Sequence, residues 1–348
     1  MRLEPRSETP LALALAAPVV AVVAAFGLCA IPLLVAGADV LRAYALILKG
    51  SLGSAFAISE TLARATPIML TGLAAAVAFR ARLWNIGGEG QLYAGALAAV
   101  ALGTGALDLP GYLLLPLILL GGALAGAALM LGPAILKTRL GVDEVVTTLL
   151  LNFVVLLFVG MMLEGPMQDP MGMGWPQSAP VLDQAVLPAL VERGRVHAGL
   201  VLAVVLGVIV WFVVARTVWG FELRATGLNA RAARFAGMPV ERVLWRTAVI
   251  SGALAGLAGV GEVIGLKGYL TQDLSPGYGY AGIVVAMLAQ LHPLGVLLAA
   301  LYVAAVFVGA DSMGRALGIS SYIANIIVAT SLLTMLVAGL AVRFRLRR

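Results

Sequence analysis

Residues 79–97, FRARLWNIGGEGQLYAGAL, place Asn85, Glu89, Gln91 and four glycines between two strongly apolar stretches. The chain has 348 residues, of which 61% are hydrophobic and only 11% are charged, and its mean hydropathy is +1.03. A soluble chain carries about 25% charged residues, so most of this surface must face lipid. The sequence therefore predicts an all-α, polytopic integral membrane protein with this polar stretch inside the membrane.

About ten segments are apolar enough for a spanning helix, which needs about 20 residues. The predicted spans are 11–36, 55–79, 84–104, 110–136, 142–163, 197–216, 245–265, 279–291, 293–312 and 319–342. With both the N-terminus and the C-terminus in the cytoplasm, most Lys and Arg residues fall on the inside, as the positive-inside rule requires. We predict one transmembrane domain over 1–348, in which residues 38–50 form an interfacial helix.

Several kinds of site are excluded by the residue inventory. The single cysteine, Cys29, lies in an apolar run, which excludes an internal disulfide and a cysteine-based zinc site. His197 and His292 lack metal-ligand spacing, and we expect no metal, cofactor or catalytic residue. The net charge of +6 reflects membrane orientation and not nucleic-acid binding. Leucine precedes every lysine, so the Gly-Lys of a P-loop is missing and any ATPase must be a separate chain.

Two groups of polar residues suggest a route for a solute through the membrane. On a helix, Asn85, Glu89 and Tyr93 would share one face, and Gln91 would point elsewhere. Alternatively, Asn85 caps the helix and Glu89 occupies its first turn, where the helix dipole favours an acid.

The second group lies in GVDEVVTTLLLNF, residues 141–153, where Glu144, Thr148 and Asn152 repeat at i, i+4 and i+8. Asn152 lies about two turns into the helix, where capping does not explain it. Polar groups within spans usually face a cavity or the bundle interior. The candidates for a substrate path are Asn85, Glu89, Gln91, Tyr93, Glu144, Thr148 and Asn152, and helix-to-helix hydrogen bonds are the competing interpretation. Further polar residues inside spans are Glu60, Thr66, Glu262, Asp311 and Asn325.

The inside connection 217–244 is predicted to form two short helical elements. Asn229 is a good N-cap, Gly237 ends the first element, and Pro239 suits the first turn of the next. A helix of about two turns is marginal alone. It must therefore dock on its own bundle, on the lipid surface or on another protein.

Five segments together are typical of one family: SETLARATPIMLTGLAAAVAFRARLWNIGGEGQLYAGALAA, DEVVTTLLLNF, PQSAPVLDQAVLPAL, LRATGLNARAARFAGM and GYGYAGIVVAMLAQLHPLGVLLAA. From about residue 55 to 335, the chain resembles the permease subunits of bacterial ABC importers of the simple-sugar and purine-nucleoside branch. The segment NIGGEGQLY and the long outside loop favour the nucleoside side. Residues 1–54 would precede this permease core as a first span and an external amphipathic segment.

The resemblance implies partners and a location. A cytoplasmic ABC ATPase would power uptake, a second permease subunit, homologous or identical, would complete the path, and an extracytoplasmic substrate-binding protein would deliver a nucleoside or sugar. The chain would be a multi-pass protein of the bacterial plasma (inner) membrane. The loop 217–244 would hold the coupling helix, with Arg231 where the wider importer motif has Glu. The coupling residues carried over are Gly227, Asn229, Arg231, Ala232, Ala233 and Gly237.

Two other classes of protein compete with this interpretation. A secondary active transporter would use an ion gradient without an ATPase partner, with Glu89 or Glu144 as a proton carrier. An intramembrane enzyme would need a paired Asp, HExxH or Ser/Lys constellation, and the sequence contains none of these.

Overall fold

The computed structural model describes residues 2–5, 11–105, 107, 109–192, 194–320 and 322–347. Its α-helices are α1 (Leu11–Val35), α2 (Val40–Leu52), α3 (Ala55–Arg80), α4 (Gly88–Gly103), α5 (Gly111–Ile135), α6 (Glu144–Leu163), α7 (Gly199–Arg216), α8 (Val218–Leu228), α9 (Ala230–Phe235), α10 (Val240–Glu262), α11 (Tyr278–Leu288), α12 (Pro293–Leu317) and α13 (Tyr322–Arg343). Two short strands, β1 (Arg2–Pro5) and β2 (Phe344–Arg347), pair antiparallel and bring the two ends of the described chain together.

Helix α3 forms the centre of the bundle. Of its most apolar stretch, 89% of the residues are buried, against 28% for α6 and for α7. α10 packs on α3, α4 and α5, and α12 packs on α2 and α3. Large apolar side chains on the outside of the bundle are exposed, among them Leu157, Phe212 and Leu298. An exterior of this kind suits contact with lipid tails, as the composition predicts.

Six helices among the described residues are long and apolar enough to cross a membrane, and α1 with α2 adds a seventh if that bent pair counts as one crossing. The six are α3, α5, α6, α7, α10 and α12. α4 has 16 residues and α11 has 11, so they extend only about 24 Å and 16 Å at 1.5 Å per residue. The described helices establish a multi-pass membrane protein, and a total of ten requires α1, α4, α11 and α13 as well.

The segment predicted as an interfacial helix is helical as α2 and is bent by 116° from α1. Asp39 caps it, since its side chain accepts hydrogen bonds from the N–H groups of Leu41 (2.9 Å) and Arg42 (3.1 Å). One face of α2 is buried, with Ala43 and Ile47 in it, and packs on α12. α2 is therefore attached to the bundle along its length.

Glycines bring α5 and α10 into backbone contact. A Cβ on Gly126 would lie 2.2 Å from the carbonyl oxygen of Gly252, and one on Gly256 would lie 2.2 Å from that of Gly122. Such distances are too short for any side chain, so only glycine allows this approach. In the sequence, Gly122 with Gly126 and Gly252 with Gly256 form small-residue pairs four positions apart, a spacing that predicts such close packing. A third pair, Gly261 with Gly265, differs, because a Cβ on Gly265 would meet the ring of His197 at 2.4 Å.

We predict that Gly126→Ala lowers the thermal stability of the detergent-solubilised protein, because α10 must move away from α5. Overpacking of this kind costs about 1–3 kcal/mol. The matched control is Gly132→Ala on the same helix, where an added Cβ meets nothing within 4 Å. That change should be neutral or slightly stabilising, because Ala is the better helix former. Equal melting temperatures for the two variants would contradict the assigned contact.

Candidate functional site

The polar stretch between α3 and α4 is not helical. α3 ends at Arg80 and α4 begins only at Gly88, and Leu83, Asn85 and Gly87 between them are buried. The predicted face of Asn85, Glu89 and Tyr93 is therefore wrong, because Asn85 precedes the helix. Consecutive glycines are weak helix formers and delay the start. The N-cap is Gly87, so Asn85 is not the cap either, whereas Glu89 does lie in the first turn.

One face of α6 pairs with the backbone of this irregular segment. Glu144 Oε1 accepts from the Trp84 N–H (3.1 Å), and Thr148 Oγ1 accepts from the Ile86 N–H (3.2 Å). Glu144 also forms an ion pair with Lys137. Backbone groups that lack water must find such partners, because an unpaired group in lipid costs several kcal/mol.

Asn152, two turns further along α6, uses both ends of its side-chain amide. Its Oδ1 accepts from the Gly90 N–H (2.8 Å), and its Nδ2 donates to the Ile86 carbonyl (3.0 Å) and to the Tyr280 hydroxyl (3.1 Å). Asn152 is fully buried. Glu144, Thr148 and Asn152 lie one helical turn apart, and they bond in the same order to backbone groups of residues 84, 86 and 90.

Asn85 and Gln91 form a reciprocal amide pair. Each side-chain nitrogen donates to the other's oxygen at 2.8 Å. Asn85 also accepts from the Gly87 N–H (2.9 Å) and donates to Ser251 Oγ (2.9 Å), and Ser251 in turn donates to the Ala74 carbonyl (2.8 Å). This chain of hydrogen bonds connects the start of α4 with α10 and α3.

The starts of α4 and α11 meet inside the bundle. A Cβ on Gly279 would lie 2.2 Å from the backbone nitrogen of Glu89, so the two backbones touch. Glu89 Oε2 accepts from the Gly279 N–H at 2.7 Å. Each helix start carries unpaired N–H groups and about half a positive charge. The Glu89 carboxylate therefore lies close to the partial positive charges at the N-termini of both α4 and α11.

Tyr93 connects α4 with the loop that precedes α11. Its hydroxyl donates to the Gln272 carbonyl (2.5 Å) and accepts from the Ser275 N–H (3.1 Å). Its side chain is buried. All seven predicted path residues therefore gather around residues 84–93 and 272–280, each is buried, and each hydrogen-bonds to protein. Their contact with a transported solute stays a prediction.

Sequence reasoning missed three residues of this cluster: Ser251, Gly279 and Tyr280. Ser251 is the partner of Asn85, and its signal was a hydroxyl within an apolar helix. Gly279 and Tyr280 lie in the quoted segment GYGYAGIVV, but nothing local predicts their partners. Their roles depend on contacts with Glu89 and Asn152, which are far away in sequence.

The inside loop contains α8, which was not predicted, and α9, which is the first predicted element. The second predicted element is not a separate short helix, because Pro239 is the N-cap of the long helix α10. Asn229 caps α9 by accepting from the N–H groups of Arg231 (3.0 Å) and Ala232 (3.1 Å), as predicted. Gly237 has φ +82°, a conformation that favours glycine. A Cβ on Gly227 would lie 1.9 Å from the carbonyl oxygen of Arg80, so α8 touches the end of α3.

The surface of α9 is exposed apart from one residue. Ala233 is buried against the bundle, whereas Arg231 and Ala232 are exposed. Phe235 is 95% exposed, which is unusual for an aromatic ring in water. A six-residue helix that presents such a ring is suited to contact another protein. Within the described part of the chain, no group of three His, Cys, Asp or Glu residues is placed to hold a metal ion.

Several long apolar helices around a hydrogen-bonded interior define a multi-pass membrane protein. The chain belongs to the family described as "Branched-chain amino acid transport system / permease component", whose pattern matches residues 57–340.

Relatives resemble the chain along most of its length. The glucose ABC transporter permease protein TsgB13 of Haloferax volcanii is 37% identical over 99% of this chain and 93% of its own. The guanosine ABC transporter permease protein NupP of Bacillus subtilis is 36% identical over 94% of each chain. The nucleoside ABC transporter permease protein NupB of Lactococcus lactis subsp. cremoris is 34% identical over 85% of this chain and 84% of its own.

We predict that Asn152→Leu strongly destabilises the protein, because it leaves the Gly90 N–H and the Ile86 carbonyl unpaired. Each buried unpaired group costs about 1–3 kcal/mol. The control is the neighbouring Phe153→Leu, because Phe153 is 56% exposed on the outside of the bundle. Denaturation in mixed detergent micelles measures both changes, and equal, small effects would contradict the bonds assigned to Asn152.

Proposed function

We propose that this chain is the transmembrane permease subunit of an ATP-binding-cassette importer that takes up nucleosides, purine nucleosides above all, or related simple sugars. The observation that carries the proposal is its similarity, over 85–99% of the chain, to permeases named for glucose, guanosine and nucleosides. These solutes are neutral and rich in hydroxyl groups. A path for them needs hydrogen-bonding groups within the membrane, which this interior contains.

In this proposal the path passes the point where α4 and α11 begin. Broken helices that start near the middle of the membrane are a common device of transporters, because their N–H groups face the route. Asn85, Glu89, Gln91, Tyr93, Glu144, Thr148 and Asn152 then have a shared task. They hydrogen-bond to the backbone around the starts of α4 and α11. Few backbone groups are then left without a partner that would bind a solute too tightly.

The proposed topology has ten crossings with both termini in the cytoplasm. Antiparallel pairing of β1 with β2 supports an even number of membrane crossings, because it places both ends of the described chain on one side of the membrane. The inside connections are richer in Arg and Lys. The permease core covers 55–335, and 1–54 adds the first span and an amphipathic segment, which is α2.

The loop 217–244 is proposed as the site where the ATPase docks. The exposed surface of α9 supports this role, and the contact of Gly227 with the end of α3 gives a mechanical link to the centre of the bundle. Asn229 and Gly237 fix the two ends of α9. The proposed coupling residues are Gly227, Asn229, Arg231, Ala232, Ala233 and Gly237.

The proposed partners are a cytoplasmic ABC ATPase, a second permease subunit, homologous or identical, and an extracytoplasmic binding protein. The chain itself would not hydrolyse ATP through a P-loop, since no lysine in it follows a glycine as that motif requires. Its proposed location is the bacterial plasma membrane. The ion-driven alternative is less favoured, because Glu89 and Glu144 are both engaged with protein groups.

Uptake of radiolabelled guanosine into proteoliposomes tests the energy source. We expect uptake by the assembled complex with ATP and without an ion gradient, and no uptake by this chain alone with either. Glucose and guanosine are compared as competitors. Gradient-driven uptake by this chain alone would reject the proposal in favour of a secondary transporter.

We predict that Phe235→Ala reduces ATP-dependent uptake and co-purification of the ATPase by about tenfold, because an exposed aromatic ring is a typical anchor of an interface. The matched control is Phe212→Ala on α7, since Phe212 is 54% exposed on a lipid-facing helix. The control should bind the ATPase normally. Normal ATPase binding by Phe235→Ala would argue against docking through α9.

A further inference from the structure

Charged side chains follow one edge of α3 from its first turn toward the interior. Arg195 Nη1 donates to Glu60 Oε1 at 3.2 Å. One turn deeper on α3, Arg64 Nη1 donates to Asp311 Oδ2 of α12 at 2.5 Å. The first pair is 59% and 22% exposed, and the second is 28% and 30% exposed, so both pairs are partly open.

The Arg64–Asp311 pair cannot face lipid tails. Both side chains lie within helices that cross the membrane and are still about 30% exposed. Charged groups in a span face a bundle interior or a water-filled cavity, because exposure to hydrocarbon is too costly. This edge of α3 and α12 is therefore a polar surface.

A cavity of about 270 Å³ opens beside the pair, and Asp311, Gly314, Arg315 and Ile319 line it. At about 30 Å³ for each water molecule, it holds several waters or one sugar ring. A larger groove of about 440 Å³ lies between α5 and α6, but its lining is almost entirely aliphatic. The cavity beside Asp311, by contrast, offers charged groups to hydroxyls.

We propose that Arg64, Asp311 and Arg315 form a transit site for the sugar hydroxyls of the transported solute. The inference rests on the proposed function. Arg64 fixes the Asp311 carboxylate, whose oxygens accept hydrogen bonds from neighbouring hydroxyls of a ribose or hexose ring. Arg315 donates to the ring's remaining oxygens. The sugar ring is what guanosine and glucose have in common.

The charge balance of the site disfavours a cationic solute. Arg64 neutralises Asp311, and Arg315 adds a positive charge at the cavity, so a cation is repelled. Deeper in the bundle, Glu262 of α10 interacts electrostatically with Arg64. Its Oε1 is buried and has no hydrogen-bond partner among the described residues.

The test compares guanosine with 2′,3′-dideoxyguanosine, which lacks the vicinal hydroxyls. The reconstituted complex, with its binding protein, is assayed at saturating concentrations of each solute. Asp311→Asn should lower the maximal rate for guanosine on the order of tenfold, the usual effect of weakening a hydrogen bond to a charged group. The dideoxy compound should be transported at the wild-type rate, because it makes no such bonds.

Two further variants separate recognition from folding. Arg64→Gln combined with Asp311→Asn replaces the ion pair by a neutral amide pair, and it should show the same loss of discrimination with an unchanged melting temperature. Glu192→Gln removes an exposed carboxylate outside the cavity and should change neither rate.

A fall of both rates by the same factor in Asp311→Asn, or of neither, would overturn the transit site and leave the pair a structural one. Wild-type complex without ATP-dependent uptake of either solute would instead refute the proposed function. The two failures are thus distinguishable in one experiment.

Discussion

A helix cannot begin inside a membrane unless other groups pair with its first N–H groups and with the backbone that leads to it. Among the described residues, α4 and α11 begin inside the bundle, at Gly88 and Tyr278, and their starts touch each other. Glu89 accepts from the second helix, and one face of α6 accepts from the chain before the first. These bonds join α4, α6 and α11 to one another.

The same constraint divides the polar interior into two kinds of surface. Around residues 84–93, polar side chains are buried and form hydrogen bonds with other protein groups. Along the edge of α3 and α12, the Arg64–Asp311 pair is partly open and borders a cavity. In the proposed transit site, a solute would bind to the second surface without breaking the hydrogen bonds that hold the first. The proposed transit site and the hydrogen-bonded helix starts thus involve different residues.

What the sequence predicts here are features with a local cause. Asn229 caps α9 because its side chain reaches N–H groups two and three residues away. The small-residue spacing of α5 and α10 predicts their close packing, and the polar spacing on α6 singles out Glu144, Thr148 and Asn152. The delayed start of α4, by contrast, depends on partners distant in sequence. The roles of Ser251 and Tyr280 could not be predicted for the same reason. The start of α11 likewise lies where this helix meets α4.

The glycine contacts have a consequence for how the bundle moves. α4, α5 and α10 touch through backbone atoms, since a Cβ on Gly95 would lie 2.1 Å from the Gly256 carbonyl oxygen and one on Gly259 would lie 1.9 Å from that of Leu92. Where no side chain separates two helices, no change of rotamer can absorb a sliding motion. We therefore expect these three helices to move together as one body. Any hinge is then expected where helices meet through flexible side chains, outside this trio.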